Sequence, residues 1–388
     1  MISPRPDAKA LPVQHLLARL APRPEKILLV RCAPPPVFDR LLAGLESAFP
    51  ESEIVVLCHG NRRVGGRRCI VYPRDGFFRV EHAPLSELRA EKFDLAVLPY
   101  ATERRDAPFY HNVDRIAVAC GAGRVMIVFR RNAALLADSG YFERKEREIV
   151  GPYLARREQA IREICAFTGE RPDDVLEKCE MAGLRAVRLW QKTSPRTEQQ
   201  VRSYYSDHDF YVYELIKTEF NDDRRELLAA VLDECEPGKT LLDYGGGVGI
   251  FSLPLAEKGC LVTHLDLPGP LLEFARYRFA NRGLDAKIIA ATSEEPLSQR
   301  YEIILSVFVV EHLVDPSRTL SHLERQLAPG GKLLLAVDFE DHRESDELLP
   351  LHLTHLDREE YYVEIERLGL VRTGGHRELD VFMRKGDI

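Results

Sequence analysis

The sequence predicts an α/β protein made of two alternating regions with a helical stretch between them. Three observations carry that expectation. Over residues 25–135, short apolar runs alternate with amphipathic ones, the pattern of strands joined by crossover helices. Charged, helix-favouring segments replace them over 141–235. From Thr240 the alternation returns, opening on a strand that runs into three consecutive glycines. At 388 residues the chain exceeds what one core usually organises, so two domains are expected.

Residues 1–24 contain prolines and read as a loosely held leader. Next come the apolar runs KILLVRC and SEIVVLCHG, with the amphipathic VFDRLLAGLESAF between them. That order predicts a strand–helix–strand unit with parallel strands, because a helical crossover returns the chain in its original direction. FDLAVLPY and RVMIVF read as two further buried strands, so residues 25–140 should form a small doubly wound α/β domain. The segment HGNRRVGGRRC (59–69) is locally basic and suits either a solvated loop or contact with an anionic group. The run Pro34–Pro36 reads as a turn. As a whole, EKILLVRCAPPPVFDRLLAGLESAFPESEIVVLCHG faintly resembles the opening of heptosyltransferase-like, nucleotide-sugar glycosyltransferases. APPP replaces that family's glycine-containing loop, and the length accommodates only one half of a two-domain transferase, so sugar transfer is not the expected role. Acceptor positioning, homodimerisation, or binding of a partner or carrier is expected instead.

The connector, 141–235, contains ERKEREIVGPYLARREQAIREICAF, PDDVLEKCEMAGLRAVRLW and DDRRELLAAVLDEC. Pro172 sits near a helix start, where its missing N–H costs little. The polar QKTSPRTEQQ (191–200) reads as the loop between domains.

Over 236–388 the expected strands are TLLDYG, LVTHLD, AKIIAA, YEIILSVF, KLLLAVDF, LVRTG and LDVFMRK. Helices are expected over 250–258, 270–282, 316–327 and 357–368. Asp357 with Glu360 three residues on makes a capping-box pattern for the last. The final two strands are too close in sequence for a crossover helix, so they should be antiparallel.

In LLDYGGGVGIFSLPLA (Leu241–Ala256) a strand ends in glycines and opens a helix. Such a turn offers free N–H groups and lets a ligand approach the backbone. The dinucleotide pattern G-x-G-x-x-G fails here, because Ile250 stands where its third glycine belongs. The run Asp243-Tyr244-Gly245-Gly246-Gly247-Val248-Gly249 instead resembles motif I of class I S-adenosylmethionine-dependent methyltransferases. Asp266, 17 residues after Gly249, ends the next strand. YEIILSVFVVEHLVDPSRTL, with Glu311-His312, and LERQLAPGGKLLLAV resemble the family's later strands in order.

The resemblance covers residues 200–388 and implies a Rossmann-like methyltransferase sheet with an antiparallel last strand. It implies S-adenosylmethionine as cofactor and S-adenosylhomocysteine as product. Asp243, Gly245, Gly247 and Gly249 would then shape the cradle, and Asp266 would hold the ribose. Ser306 and Tyr205 would add cofactor contacts. Thr292 and Ser293, in AATSEE, stand where many members place an aspartate near the adenine, with Glu294 as the other candidate. VRSYYSDHDFYVYELIKTEF (201–220) resembles the segment that caps the cofactor. There Tyr204 and Tyr205 suit the site or packing equally, while Phe210 and Tyr213 suit packing.

Methyl transfer is an in-line displacement that needs aligned reactants and excluded water. A hydroxyl or amine acceptor benefits from a general base, and histidine has the suitable pKa. His312 follows the fourth strand, while His352 and His355 lie in LLPLHLTHLDREEY, where the family often builds its acceptor pocket. These three are the candidate catalytic residues. Each also has a structural reading, His312 as a helix-start residue and the other two as capping and packing groups. Asp338 is a further candidate. His342 with Glu340 and Asp341 reads as part of a solvated lid, and no metal site is expected.

Hydrophobic residues make up 45% of the chain, enough for buried cores rather than disorder. A net charge of −7 argues against general nucleic-acid binding. No apolar run is long enough to span a membrane, and the N-terminus lacks signal-peptide character. Eight scattered cysteines without a CxxC pair suit free thiols in a reducing cytoplasm. The expected function is a cytoplasmic enzyme that methylates a small-molecule acceptor, oxygen favoured over nitrogen or carbon. The alternative is a non-catalytic S-adenosylmethionine-binding or scaffold protein whose first domain binds a partner, since fold alone does not fix function. A bifunctional sugar-modifying enzyme would require nucleotide-sugar binding by residues 25–135.

Overall fold

The computed structural model describes residues 10–105, 107–220, 224–291, 299–339, 358–376 and 378–388. The chain divides into two compact units between Arg156 and Arg157.

Among its described residues, the first unit holds seven strands. These are β1 (Leu11–Pro12), β2 (Lys26–Val30), β3 (Glu53–His59), β4 (Arg68–Tyr72), β5 (Leu95–Pro99), β6 (Arg124–Val128) and β7 (Ala133–Ala137). Their order is β1-β7-β6-β5-β2-β3-β4. The pairs among β2 to β6 are parallel, and β7 is antiparallel to both β6 and β1. β2 and β5 are buried on both faces, which is why they read as unbroken apolar runs. The helix Pro35–Ala48 packs Phe38, Leu41 and Leu45 on one face. The helix His111–Ala119 packs Val113, Ile116 and Ala117 on the other.

Three details depart from the sequence reading. The leader is structured from Leu11: β1 pairs with β7, and the helix Val13–Arg19 buries Val13 and Leu17, one helical turn apart. The end of the basic loop is not loop, since Arg68 and Cys69 begin β4. The first unit also extends beyond residue 140. Lys145 of the helix Ser139–Lys145 is buried and donates to Asp114 (2.7 Å) and Tyr100 (3.1 Å), binding that helix to the sheet.

The second unit begins with helices Pro172–Thr193, Glu198–Ser206, Phe210–Phe220 and Arg225–Glu234, after the helix Gly151–Thr168 that spans the division. The expected inter-domain loop lies inside this unit. Ser194, with φ of 42°, ends one helix, and a Thr197–Gln200 capping box starts the next, leaving only 194–197 outside helix. Then come β8 (Thr240–Tyr244), β9 (Leu261–Asp266), β10 (Lys287–Ala290), β11 (Tyr301–Val307), β12 (Leu327–Ala336), β13 (Leu370–His376) and β14 (Leu379–Arg384). Their order is β10-β9-β8-β11-β12-β14-β13. β8 to β12 pair in parallel, and β14 is antiparallel to both β12 and β13. The intervening helices Ser252–Glu257, Pro270–Asn281, Pro316–Gln326 and Arg358–Arg367 fall where the periodicity puts them. The expected cap Asp357 lies outside the described residues.

Candidate functional site

β8 lies between β9 and β11, so the loops leaving these three strands share one edge of the sheet. After Tyr244 the chain turns through Gly245, Gly247 and Gly249, with φ of 74°, 57° and 84°. At two of these a side chain would also collide. A Cβ at Gly245 would come within 2.5 Å of Val309 Cγ2, and one at Gly247 within 2.8 Å of Leu215 Cδ1.

Asp266, at the end of β9, closes this turn from the next strand. Its Oδ2 accepts the Gly247 N–H at 2.6 Å, and its Oδ1 accepts the Leu267 N–H at 2.7 Å. Burial pushes its pKa up to about 6, against the pull of those two N–H groups. Asp243 is more deeply enclosed. Burial lifts its pKa to about 7, opposed by Ser252 and reinforced by the Asp266 charge. Its Oδ2 has no hydrogen-bond partner among the described residues. Below it, His264 Nδ1 lies 2.9 Å from Ser252 Oγ, and burial lowers the imidazole pKa to about 4.

The end of β11 forms the opposite wall. Phe308 has φ of 55°, a left-handed conformation that costs energy in a residue with a Cβ. Its N–H is held by the Ala336 carbonyl at 2.8 Å, and its ring lies 3.8 Å from the Arg224 guanidinium. This bend presses Val309 against Gly245 and starts the single turn Val310–His312. Glu311 is buried. Its Oε1 accepts the Asp338 N–H at 3.2 Å, its Oε2 has no partner among the described residues, and burial lifts its pKa to about 7. Ser306 Oγ, inside β11, is likewise buried without a partner. Buried polar atoms are nearly always paired, and these three orphans lie at the carboxyl ends of the neighbouring strands β8 and β11.

The segment 198–220 covers this edge. Tyr205 Oη lies 2.9 Å from His312 Nδ1, with the rings edge to face. Burial pushes the tyrosine pKa up, so its hydroxyl stays protonated. Tyr204 is structural: buried, it donates to the Ala186 carbonyl at 2.8 Å. Phe210 and Tyr213 are buried, and Tyr213 donates to Glu170 at 2.9 Å. Leu215 reaches the glycine turn.

Arg278 holds cap and turn together, and no sequence signal singled it out. It sits fully buried in the helix Pro270–Asn281. Nε donates to Glu163 (3.0 Å), one terminal nitrogen to the Val248 carbonyl of the glycine turn (2.7 Å), and the other to both Glu219 oxygens (2.8 and 3.0 Å). A guanidinium is the side chain suited to three partners in one plane.

Of the residues expected from the sequence, Asp243, Gly245, Gly247, Gly249, Asp266, Ser306, Tyr205 and His312 lie along this edge. Tyr205 meets His312 there. Asp338 donates its N–H to Glu311. Thr292, Ser293, Glu294, Glu340, Asp341, His342, His352 and His355 lie outside the described residues.

Residues 216–368 match the family model described as a methyltransferase domain. The ubiquinone biosynthesis O-methyltransferase of Caulobacter vibrioides is 35% identical over 103 residues, covering 26% of this chain and 41% of that protein. The enzyme of the same name from Paramagnetospirillum magneticum is 37% identical over 101 residues, with the same coverage of 26% and 41%. The chain thus spans about two fifths of the length of the curated relatives it matches. Among solved structures, magnesium protoporphyrin IX methyltransferase from Synechocystis, with bound SAH, aligns with 19% identity and a TM-score of 0.37, over 44% of this chain and 88% of that one. A SAM-dependent methyltransferase from Aquifex aeolicus aligns with 23% identity and a TM-score of 0.34, over 41% and 91%.

Proposed function

We propose that this chain, whose residues 216–368 match a methyltransferase-domain model, transfers a methyl group from S-adenosylmethionine to a small-molecule acceptor, with oxygen favoured as the acceptor atom. The observation that carries the proposal is the Asp266 carboxylate pinned across the glycine turn beside the unpartnered Asp243 Oδ2. The oxygen preference is supported by the names of the curated relatives.

The donor set fits the cofactor. Gly245 and Gly247 leave backbone space that a side chain would fill, Asp266 offers a carboxylate to vicinal hydroxyls, and Asp243 and Ser306 carry unused acceptors. Asp243, once ionised, suits an ammonium group. Thr292 and Ser293 are proposed at the adenine, and His352 and His355 in the acceptor pocket. When bound, S-adenosylmethionine supplies an electrophilic methyl group on a sulfonium centre.

His312 is proposed as the general base. In that role the contact between Nδ1 and Tyr205 Oη orients the imidazole towards the acceptor. The cap over 198–220 excludes water from the edge, which strengthens the electrostatics there. A reducing cytoplasm is proposed as the setting and agrees with eight free cysteines. No helix among the described residues is long and apolar enough to cross a membrane. The first unit, with its domain proposed over 25–140, would position the acceptor or carry a partner.

The test is release of S-adenosylhomocysteine when the full chain is incubated with S-adenosylmethionine and a panel of phenols, amines and carbon acids. Turnover selective for hydroxyl acceptors is expected. Tight cofactor binding with no turnover on any class would overturn the catalytic reading.

A further inference from the structure

We infer that the first unit carries its own binding site for a small phosphate-bearing ligand, in the crevice between the C-terminal ends of β2 and β5. The inference is independent of the methyltransferase reading.

Topology supplies the first argument. From β2 the chain builds outward through β3 and β4, then returns to the other side of β2 to form β5 and β6. The helix after β2 lies on one face of the sheet and the helix after β5 on the other. The loops leaving β2 and β5 therefore part, opening a crevice at the carboxyl ends of the strands, where doubly wound sheets bind ligands. Its floor is electrically satisfied. Cys32 Sγ donates across it to the Pro99 carbonyl at 3.1 Å, and Lys145 is consumed by Asp114 and Tyr100.

Charge supplies the second. An arginine follows each parallel strand of this sheet: Arg31 directly after β2, Arg74 and Arg130 two residues beyond β4 and β6, Arg62 three beyond β3, and Arg104 five beyond β5. Three of these are doubled in the sequence, as GNRR, TERR and FRRN. Arg31 spans the neighbouring strand ends, donating to the Arg62 carbonyl. Arg62, Arg74 and Arg130 have no ion pair among the described residues. The opposite edge is the control. There Lys26 pairs with Glu53 (3.1 Å) and with Glu91, and Arg68 also pairs with Glu91. A shallow depression at that edge includes Arg89 and Arg124, but they already donate to the carbonyls of Ala119 and Pro22.

Cations left unpaired at one edge of a low-dielectric wall focus a positive field. Guanidinium forks match phosphate oxygens two at a time. Backbone recognition is weakened here, because Pro35 and Pro36 remove N–H donors from the first turn of the helix after β2. The site must therefore read its anion through side chains. A chain with net charge −7 and cations gathered at one strand edge suits a small anion better than a long polyanion.

Inorganic pyrophosphate is the probe, titrated calorimetrically into the full chain at low and at physiological ionic strength. One-site binding that weakens with salt is expected. Arg62→Ala and Arg130→Ala should each weaken it about tenfold or more, the lower end for a hydrogen bond to a charged group. Arg68→Ala, at the opposite edge, should leave it unchanged. Unaltered thermal unfolding of the variants shows that the fold is intact. Absence of saturable binding, equal binding by the variants, or a single-stranded oligonucleotide that pyrophosphate does not displace would each overturn the inference.

Discussion

The hydroxyl of Tyr205 lies 2.9 Å from Nδ1 of His312, joining the covering helix Glu198–Ser206 to the turn that leaves β11. If His312 is the base, its loss should cut kcat by roughly 10²–10⁴-fold. Tyr205→Phe removes only the orienting contact and should lower kcat about threefold to tenfold, the kinetic equivalent of one neutral hydrogen bond. Steady-state kinetics with cofactor affinity measured in parallel checks both, and a pure KM effect would assign the pair to binding.

Asp266→Ala removes the carboxylate that closes the glycine turn. Cofactor affinity should fall by roughly 1.5–3 kcal/mol, the range for hydrogen bonds to a charged group. Titration calorimetry reads this directly, and unchanged affinity would remove Asp266 from the site.

The carboxyl groups of Asp243 and Asp266 titrate near 7 and 6 in the folded protein, both raised chiefly by burial. The unfolded chain releases these protons near pH 3.9. Between that value and about 7 the folded state holds more protons, so stability of the ligand-free protein falls as pH rises through this window. Cofactor affinity should move the other way, increasing as the two groups ionise. Thermal melts with and without S-adenosylmethionine across pH 5 to 8 should diverge, and Asp243→Asn should flatten the upper part of that divergence.

Arg278→Ala leaves Glu163 and Glu219 without their buried cation. Because Glu163 keeps Arg282 at 3.4 Å and Glu219 is about a third exposed, the loss should fall below the ~3–5 kcal/mol of a wholly buried pair broken from one side. Arg278→Lys should recover little, because an ammonium lacks the planar fork that meets both carboxylates and the Val248 carbonyl. The denaturation midpoint measures both variants.

In the second unit the elements were legible because their signals are local. Period-two and period-3.6 apolar patterns mark β8, β9, β11 and the helices that follow. A glycine that must adopt positive φ, as at Gly247, is visible as a residue type. β1, β4 and β7 were not legible. β1 has only two residues, β1 and β4 are the edge strands, and β7 is a five-residue strand held between β1 and β6, so all three depend on partners elsewhere in the chain. Phe308 gave no warning either, since nothing in its residue type marks the left-handed backbone that brings Val309 against Gly245.

By itself the sequence determined the order of strands and helices in the second unit, the glycine turn, the acidic residues Asp243 near the end of β8 and Asp266 at the end of β9, and the antiparallel finish. Each rests on residues near one another in the chain. Only the tertiary structure decided that β8 stands between β9 and β11, that Tyr205 meets His312, and that Arg278 is buried rather than solvated. The same holds for the arginines aligned along one edge of the first sheet. Those facts join residues tens to hundreds of positions apart, and a side chain's burial and partners are set by the assembled core around it, which no local pattern encodes.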